Sequence, residues 1–197
     1  MNKNIQKLIQ AASKSPRKVI GLMSGTSLDG LDVALCEIKG NGIETAITVK
    51  EFTTIAYDTV FKQDLITVFS KKTIDLRQLC ILNEAIGLKH AAMVNECLQQ
   101  WKVENNHIDF IASHGQTIFH SPLNKLYPEN KINGTLQIGD GDHIAVNTGI
   151  ITVSDFRQKH VAAGGEGAPL AVYGDYLMFS KKNEDRILLN IGGISNF

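Results

Sequence analysis

Two apolar runs joined by a turn of small residues dominate the N-terminal part of this chain. The segment reads Ile20-Gly-Leu-Met-Ser-Gly-Thr-Ser-Leu-Asp-Gly-Leu-Asp-Val-Ala-Leu35. Apolar runs that flank a turn rich in Gly, Ser and Asp predict a β-hairpin with a functional tip. We expect Gly25 and Gly30 to adopt positive φ angles and to leave room for a ligand beside the backbone. Any fold for this chain must therefore accommodate a pair of antiparallel strands near its N-terminus.

The turn of this hairpin carries groups that suit an anionic ligand. Hydroxyls from Ser24, Thr26 and Ser27, together with the loop amides, predict hydrogen bonds to phosphate oxygens. Carboxylates at Asp29 and Asp32 would repel a bare phosphate, so we expect them to hold Mg²⁺ or a sugar hydroxyl. The same composition is also typical of a hairpin turn that binds nothing.

The composition excludes several functional classes. The 197 residues include 20 basic and 20 acidic side chains, so the formal net charge is +0 and no nucleic-acid or anionic-membrane partner is expected. Cysteines occur only at positions 36, 80 and 97, a scattered set typical of a reducing compartment. No apolar run approaches the ~20 residues that span a bilayer. These features predict a cytoplasmic globular protein.

The periodicity of apolar residues predicts an α/β order of elements. Residues 1–16 read as a short polar helix or a loose lead-in, and three antiparallel strands follow. Later strands are short and apolar, as in buried parallel strands. The predicted strands are 18–23, 31–38, 43–57, 108–112, 150–153 and 186–190, with a strand end at 136–140, and the predicted helices are 59–71, 75–102, 142–148 and 169–180.

Polar and glycine-rich loops are predicted at four strand ends: 23–30, 113–120, 154–169 and 190–196. Ligands of open α/β sheets bind beyond the carboxyl ends of strands, so these loops are the candidate site. Glycine amides can approach a phosphate closely, and a helix beginning near Pro169 would add its positive end. Neither the P-loop pattern nor the dinucleotide fingerprint is present.

Two of these loops contain side chains suited to a sugar or an anion. His114 and Gln116, in Ser113-His-Gly-Gln-Thr117, can address a carbohydrate hydroxyl or acyl group, and His114 can alternatively make a structural hydrogen bond. Arg157 follows a predicted strand and could clamp a carboxylate or a phosphate. An ion pair of Arg157 with Asp155 or Glu166 is the alternative.

Asp140 and Asp142 flank Gly141 at the predicted start of a short helix. Either carboxylate could fix a sugar or cap the helix. We expect Asp142 to be the cap.

Several segments, read together, resemble the anhydro-N-acetylmuramic acid kinases of the sugar kinase/Hsp70/actin superfamily. The most specific are Met23-Ser-Gly-Thr-Ser-Leu-Asp-Gly-Leu-Asp32 and Gly164-Gly-Glu-Gly-Ala-Pro-Leu170. The full set is 21–35, 113–117, 136–140, 148–150, 155–157, 164–170 and 189–194. The resemblance implies an α/β fold, a ribonuclease-H-like (actin-like ATPase) domain with a mixed sheet flanked by helices. We expect this domain at 18–197, after a lead-in at 1–17 and truncated before a second ATPase domain.

The resemblance also implies a function. Members of this family use ATP and Mg²⁺ to open 1,6-anhydro-N-acetylmuramic acid and to phosphorylate O6, giving N-acetylmuramic acid 6-phosphate in cell-wall recycling. The expected partner is therefore a small anhydro-amino-sugar, and the full-length protein is expected to be a homodimer.

Roles for individual residues follow from the same resemblance and from the loop positions. Phosphate, metal and nucleotide contacts are expected from Ser24, Gly25, Thr26, Ser27, Asp29, Gly192 and Gly193, with Asp29 as the metal ligand. Sugar contacts are expected from Asp32, His114, Gln116 and Asp155. Catalytic roles are expected for Arg157, His160 and Glu166.

The chain departs from the family pattern at the reacting centre. The family's general base is an aspartate three residues after the arginine, and here that position is His160. The glutamine usual in the next loop is Glu166. One hypothesis is that His160, alone or with Glu166, supplies the base in a divergent subgroup. The alternatives are a relative that binds the sugar without phosphorylating it, or a sugar hydrolase in the same cleft.

Overall fold

A six-stranded mixed sheet organises the computed structural model, which describes residues 3–123, 131–167, 170–191 and 195–196. The strand order is β3-β2-β1-β4-β5, and β6 also pairs with β4. Strands β1, β4 and β6 run parallel, whereas β2, β3 and β5 run antiparallel to their neighbours. The strands are β1 (Arg17–Ser24), β2 (Gly30–Lys39), β3 (Ala46–Ala56), β4 (Phe110–Ser121), β5 (Gly134–Ile138) and β6 (Thr152–Ser154).

Helices flank this sheet and cover its apolar surface. They are α1 (Lys3–Ser13), α2 (Thr59–Val68), α3 (Leu76–Gln100), α4 (Gly141–Thr148), α5 (Phe156–Ala162) and α6 (Val172–Phe179). Among the described residues, none of these helices is long and apolar enough to cross a bilayer. The arrangement confirms the expected α/β fold with a mixed sheet, as in actin-like ATPases.

The hydrophobic core lies between the sheet and helices α2 and α3. Alternating residues of β1 and β2, such as Ile20 and Val33, are fully buried, as the period of a half-buried strand requires. Helix α3 contributes Ile86 and Val94, which are also fully buried. Each such side chain contributes roughly 1.5–3 kcal/mol of transfer free energy. This packing fixes the edge of the sheet at which the candidate loops lie.

The predicted hairpin, the third strand and the helices at 59–71 and 75–102 are confirmed, with small shifts of their ends. Strand β1 pairs with β2 from Arg17↔Ile38 to Met23↔Asp32. Helices α2 and α3 begin at capping aspartates, because the Asp58 side chain accepts from Phe61 N and the Asp75 side chain accepts from Arg77 N.

Strand β4 is longer than predicted, and the prediction of a loop at 113–120 is wrong. The polar motif Ser113-His-Gly-Gln-Thr117 lies inside the strand, because β5 pairs antiparallel with residues 116–121 and extends the ladder. The expectation that all later strands are parallel is wrong for the same reason. Gly115 has a φ of +72°, which lets the strand bend where its pairing passes from β6 to β5.

Three predictions near the C-terminal end also need correction. Residues 186–189 are not a strand, since only Asn190–Ile191 (β7) pairs, with Ser195–Asn196 (β8), in a separate small sheet. Helix α5 was not predicted, because its polar residues 157–160 do not show an apolar stripe. The predicted helix at 169–180 is shorter, spanning Val172–Phe179.

The cap of helix α4 is Asp140 rather than the predicted Asp142. The Asp140 carboxylate accepts hydrogen bonds from Asp142 N at 2.8 Å and from His143 N at 3.2 Å. Asp142 instead lies in the first turn of the helix, where its charge complements the helix dipole. Gly149 ends the helix in the left-handed conformation.

Candidate active site

Three parallel strands bring the candidate loops to one edge of the sheet. Strand β1 ends at Ser24, whose register partner in β4 is Gln116. Strand β6 ends at Ser154, whose partner in β4 is Ser113. The β1–β2 turn (residues 24–30) and the segment that begins at Asp155 therefore leave the sheet at the same edge.

The β1–β2 turn presents an ionised carboxylate to solvent. Thr26, Ser27 and Asp29 are exposed, and the Ser27 hydroxyl donates to Asp29 Oδ1 at 2.6 Å. That hydrogen bond lowers the pKa of the Asp29 carboxyl. The turn therefore combines exposed hydroxyl and amide groups with one negative charge.

Asp29 is the carboxylate in this turn that fits a Mg²⁺ ion. Magnesium is held by one or two protein carboxylates and completes its shell with water and phosphate oxygens. In the part of the chain that the structure describes, no three His, Cys, Asp or Glu residues converge as a metal cage. The Asp32 carboxylate accepts from Thr54 Oγ1 at 2.5 Å, outside the turn, whereas the Asp29 carboxylate accepts from the Ser27 hydroxyl of its own turn.

Neither Gly25 nor Gly30 has a positive φ angle, contrary to the prediction. The residue with positive φ is Leu28, at 55°, and its buried side chain anchors the turn in the core. At Gly30 a Cβ atom would lie 2.4 Å from the Ile55 carbonyl oxygen, so only glycine lets β2 approach β3 there. At Gly25 a Cβ would meet nothing closer than Ser27 Oγ, at 3.9 Å.

Ser24 and Gln116 lie beneath this turn and bind the protein rather than solvent. Both are buried, and Ser24 Oγ donates to Gln116 Oε1 at 2.5 Å. Gln116 Nε2 donates to the Gly25 carbonyl oxygen at 2.9 Å. In this arrangement the two side chains support the turn from below, and the exposed hydroxyls are those of Thr26 and Ser27.

Arg157 and His114 form a second buried cluster at this edge. Arg157 Nε donates to His114 Nε2 at 2.8 Å, and its Nη1 donates to the Gly167 carbonyl oxygen at 2.7 Å. His114 Nδ1 lies 2.9 Å from the Gly115 carbonyl oxygen. Because Nε2 must accept, the ring is neutral and Nδ1 carries the proton. Both nitrogens of His114 are thus bonded within the protein, which favours the structural alternative for this residue.

His160 binds the glycine-rich loop that follows α5. Gly167 N donates to His160 Nδ1 at 3.0 Å, and a Cβ on Gly165 would lie 2.0 Å from His160 Nε2. Arg157 and His160 are three residues apart on α5 and therefore share one face of the helix. Both hold Gly167, one by its carbonyl and one by its amide. Glu166 lies between these two glycines with its side chain exposed.

A small cleft of about 230 Å³ adjoins this cluster and is lined in part by Ser113, His114, Ser154 and Asp155. Asp155 has a φ of 61°, a strained value for a residue with a side chain, and such strain is often found at functional sites. Partial burial raises the pKa of the Asp155 carboxyl. The cleft is smaller than the ~300–1,000 Å³ usual for ligand pockets.

The structure thus places the predicted residues in two neighbouring groups. Ser24 to Asp29, with Asp32 and Gln116, belong to the β1–β2 turn and its support. Arg157, His114, His160, Asp155 and Glu166 belong to the α5 cluster. Gly192 and Gly193 lie outside the described residues.

Sequence reasoning missed two buried polar residues, Tyr57 and His90, that extend the support of the β1–β2 turn. Tyr57 Oη donates to Ser24 Oγ at 2.8 Å and lies 2.7 Å from His90 Nε2. A histidine on the apolar face of helix α3 was the available signal, and it does not by itself distinguish packing from a polar network.

The buried histidines predict loss of stability in acid. Burial lowers the pKa of His90 to about 3 and also lowers the pKa of His114. Each therefore binds fewer protons in the folded state than in the unfolded state, where its pKa is ~6.5. The two histidines make their full contribution to the free energy of unfolding above pH ~6.5. This contribution declines as the pH falls toward their folded-state pKa values.

We expect the free energy of unfolding to decrease between pH 6.5 and pH 4.5, by up to ~1.4 kcal/mol per pH unit from His90, with His114 contributing in the same direction. Urea unfolding at a series of pH values measures this slope. His90→Leu should make the slope shallower, while His107→Leu, a change at a surface histidine, should not. An unchanged slope in His90→Leu would contradict the assignment.

Comparisons with known proteins identify the family of this chain. The family model described as anhydro-N-acetylmuramic acid kinase matches residues 17–197. The anhydro-N-acetylmuramic acid kinase of Pseudoalteromonas atlantica is 58% identical over 196 residues, which is 100% of this chain and 49% of that relative. The relative of the same name from Caldanaerobacter subterraneus is 40% identical over 192 residues, 98% of this chain and 48% of its own length.

This chain therefore spans about half the length of the curated relatives it matches. The family match nevertheless covers both the β1–β2 turn and the α5 cluster. The chain belongs to the anhydro-N-acetylmuramic acid kinase family.

Proposed function

We propose that this chain is part of a carbohydrate kinase that opens 1,6-anhydro-N-acetylmuramic acid with water and phosphorylates its O6 from ATP. The observation that carries the proposal is the shared edge of β1, β4 and β6, where the exposed turn with Asp29 and the α5 cluster with Arg157 leave the sheet. A kinase needs one group of residues for the phosphates and another for the acceptor, and family membership supports this division.

The β1–β2 turn is proposed to bind the phosphates of ATP. Backbone amides around Gly25 and the hydroxyls of Thr26 and Ser27 would donate to phosphate oxygens. Asp29 would hold Mg²⁺, which neutralises charge on the phosphates when bound. Gly192 and Gly193 are proposed as the second nucleotide loop.

The α5 cluster is proposed to hold the sugar and to activate water. Asp155 and Asp32 would accept from sugar hydroxyls, and Arg157, already fixed by His114, would keep the glycine-rich loop in place beside them. In the reaction, water oxygen bonds to C1 as the bond from C1 to O6 breaks, and O6 takes the γ-phosphoryl group. The proton released from water passes to a general base.

His160 and Glu166 are the proposed candidates for that base. In the conformation described, His160 Nδ1 accepts from Gly167 N, so a neutral ring carries its proton on Nε2. His160 would therefore take a proton only after releasing Gly167, whereas the exposed carboxylate of Glu166 needs no such release. For the full-length protein we also propose a homodimer, as the resemblance implies, and a cytoplasmic location, in keeping with the scattered cysteines.

We expect the full-length protein, incubated with Mg·ATP and 1,6-anhydro-N-acetylmuramic acid, to give the sugar 6-phosphate by mass spectrometry. If Glu166 is the base, Glu166→Gln should lower kcat by about 10²–10⁴-fold, the usual contribution of general base catalysis. His160→Asp, which restores the family residue, should retain or raise kcat. His160→Ala leaving kcat unchanged would exclude His160 as the base.

A relative that binds the sugar without phosphorylating it is the second candidate. The hydrogen bond that occupies His160 Nδ1 favours it, because the residue at the family's base position is engaged within the protein. Sugar binding by calorimetry without any ATP-dependent product would support this candidate. Ring opening without ATP would instead indicate a hydrolase.

A further inference from the structure

A chain of four buried polar side chains connects helix α3 to the β1–β2 turn. His90 lies on α3, Tyr57 follows β3, Ser24 ends β1 and Gln116 lies within β4, and none is more than 4% exposed. The distances are 2.7 Å from His90 Nε2 to Tyr57 Oη, 2.8 Å from Tyr57 Oη to Ser24 Oγ and 2.5 Å from Ser24 Oγ to Gln116 Oε1. The chain ends at the Gly25 carbonyl oxygen, 2.9 Å from Gln116 Nε2.

The carbonyl at the end of this chain determines the donor at every step. Since a carbonyl can only accept, the Gln116 amide group must donate to Gly25 and turn its Oε1 toward Ser24. Ser24 Oγ has one proton and faces two groups that can only accept, Gln116 Oε1 at 2.5 Å and the Gly30 carbonyl oxygen at 3.2 Å, so Ser24 accepts from the Tyr57 hydroxyl. Tyr57 in turn must accept from His90, whose Nε2 therefore carries a proton. Burial lowers the pKa of His90, so the ring is neutral and this is its one proton.

Packing alone does not account for His90. Its side chain is fully buried, and its Nδ1 has no hydrogen-bond partner among the described residues. A buried polar atom without a partner costs free energy that an apolar side chain of similar size would not. What His90 adds is the donor from which the Tyr57 hydroxyl accepts, and this completes the chain of hydrogen bonds.

The direction of these hydrogen bonds matters because it fixes how the peptide between Gly25 and Thr26 is turned. In a trans peptide the carbonyl and the following N–H point to opposite sides of the chain. With the Gly25 carbonyl held inward by Gln116, the N–H of Thr26 is directed away from the core. The exposed side of the turn therefore presents an amide donor.

We infer that His90 and Tyr57 are positioning residues for the β1–β2 turn, which hold the Gly25 carbonyl inward and so orient the Thr26 amide toward a bound phosphate. The inference rests on the proposed function for its ligand, but its structural part concerns the turn alone. Tyr57 reinforces the turn a second time, since its backbone N donates to the Asp29 carbonyl oxygen at 3.0 Å.

The test removes the Tyr57 hydroxyl and keeps the ring, which packs edge-to-face on Phe61 at 4.9 Å. In the 197-residue chain, ¹⁵N relaxation should give order parameters for residues 25–29 near the ~0.85 of rigid backbone. Tyr57→Phe should lower them below ~0.6, the range of flexible backbone. Tyr173→Phe, the same change at an exposed tyrosine of α6, should leave them unchanged.

A second variant and the protonation of His90 keep the inference testable if Tyr57→Phe does not fold. His90→Leu should retain the fold and loosen residues 25–29, whereas His90→Gln, which keeps an N–H donor, should restore part of the order. The ¹⁵N shifts of His90 should show the proton on Nε2. A proton on Nδ1, or rigid residues 25–29 in every folded variant, would overturn the inference. None of these measurements requires turnover, so a failed kinase assay would not affect them.

Discussion

Replacing Arg157 with alanine is expected to lower the free energy of unfolding by about 2–5 kcal/mol, because buried acceptors lose their donor. His114 Nε2 and the Gly167 carbonyl oxygen both accept from this guanidinium. Both acceptor residues are buried. Urea unfolding of the variant and the parent chain measures the difference.

Two further variants test whether the loss of stability in Arg157→Ala comes from the two buried hydrogen bonds that Arg157 donates. Arg157→Lys keeps the charge but cannot serve both acceptors in the same geometry, so its loss should be intermediate. Arg17→Ala removes bonds to the carbonyls of Gly40 and Ala12 near the surface and should cost less than about 1 kcal/mol. Equal losses for Arg157→Ala and Arg17→Ala would contradict the role given to Arg157.

Gly115→Ala is expected to be similarly damaging, for a steric reason. Gly115 has a φ of +72°, which costs a residue with a Cβ atom about 1–2 kcal/mol. Its Cβ would also lie 2.6 Å from the Ile138 carbonyl oxygen on β5, and such overpacking adds about 1–3 kcal/mol. We expect Gly115→Ala to lower the free energy of unfolding by about 2–5 kcal/mol in total. It should also weaken the hydrogen bond that the neighbouring His114 accepts from Arg157.

Gly149→Ala provides the matched control. Gly149 has nearly the same φ, +71°, but a Cβ there would meet nothing within 4 Å. Its loss of stability should therefore reflect only the backbone conformation, about 1–2 kcal/mol. The difference between the two variants, measured by urea unfolding, isolates the contact with β5. If the two variants lost the same free energy of unfolding, the contact between a Cβ at position 115 and strand β5 would not be destabilising.

Much of the fold was predictable from local pattern. The small residues between Met23 and Leu31 predict a turn, and the apolar spacing of residues 76–100 predicts a long helix, and both are confirmed. The predictions failed where strand pairing, rather than the local sequence pattern, decides the secondary structure. Residues 113–117 read as a loop because they are polar, but β5 pairs with the second half of β4 and keeps the segment in the sheet. Residues 186–189 read as a strand, but pairing in the described chain begins only at Asn190.

The sequence predicted that the candidate loops lie at strand ends, but not which of their side chains face inward. The turn around Asp29 and the segment from Asp155 are brought to one edge, as the rule for parallel strands predicts. Sequence could not show that Ser24 and Gln116 face inward. It also could not show that His160 holds the glycine-rich loop, because a pattern of residue types does not give the direction of a side chain.

The sequence by itself determined the hairpin, the main helices and the family, since these depend on short-range periodicity and on motifs that keep their order along the chain. The tertiary structure alone decided which polar groups bind one another. Ser24 and Gln116 are separated by 92 residues and Arg157 and His114 by 43, and each pair meets only because β1 and β6 flank the same strand. Whether a buried polar group meets a partner depends on this long-range register, and hydrogen bonds a few ångströms long cannot be read from spacing along the chain.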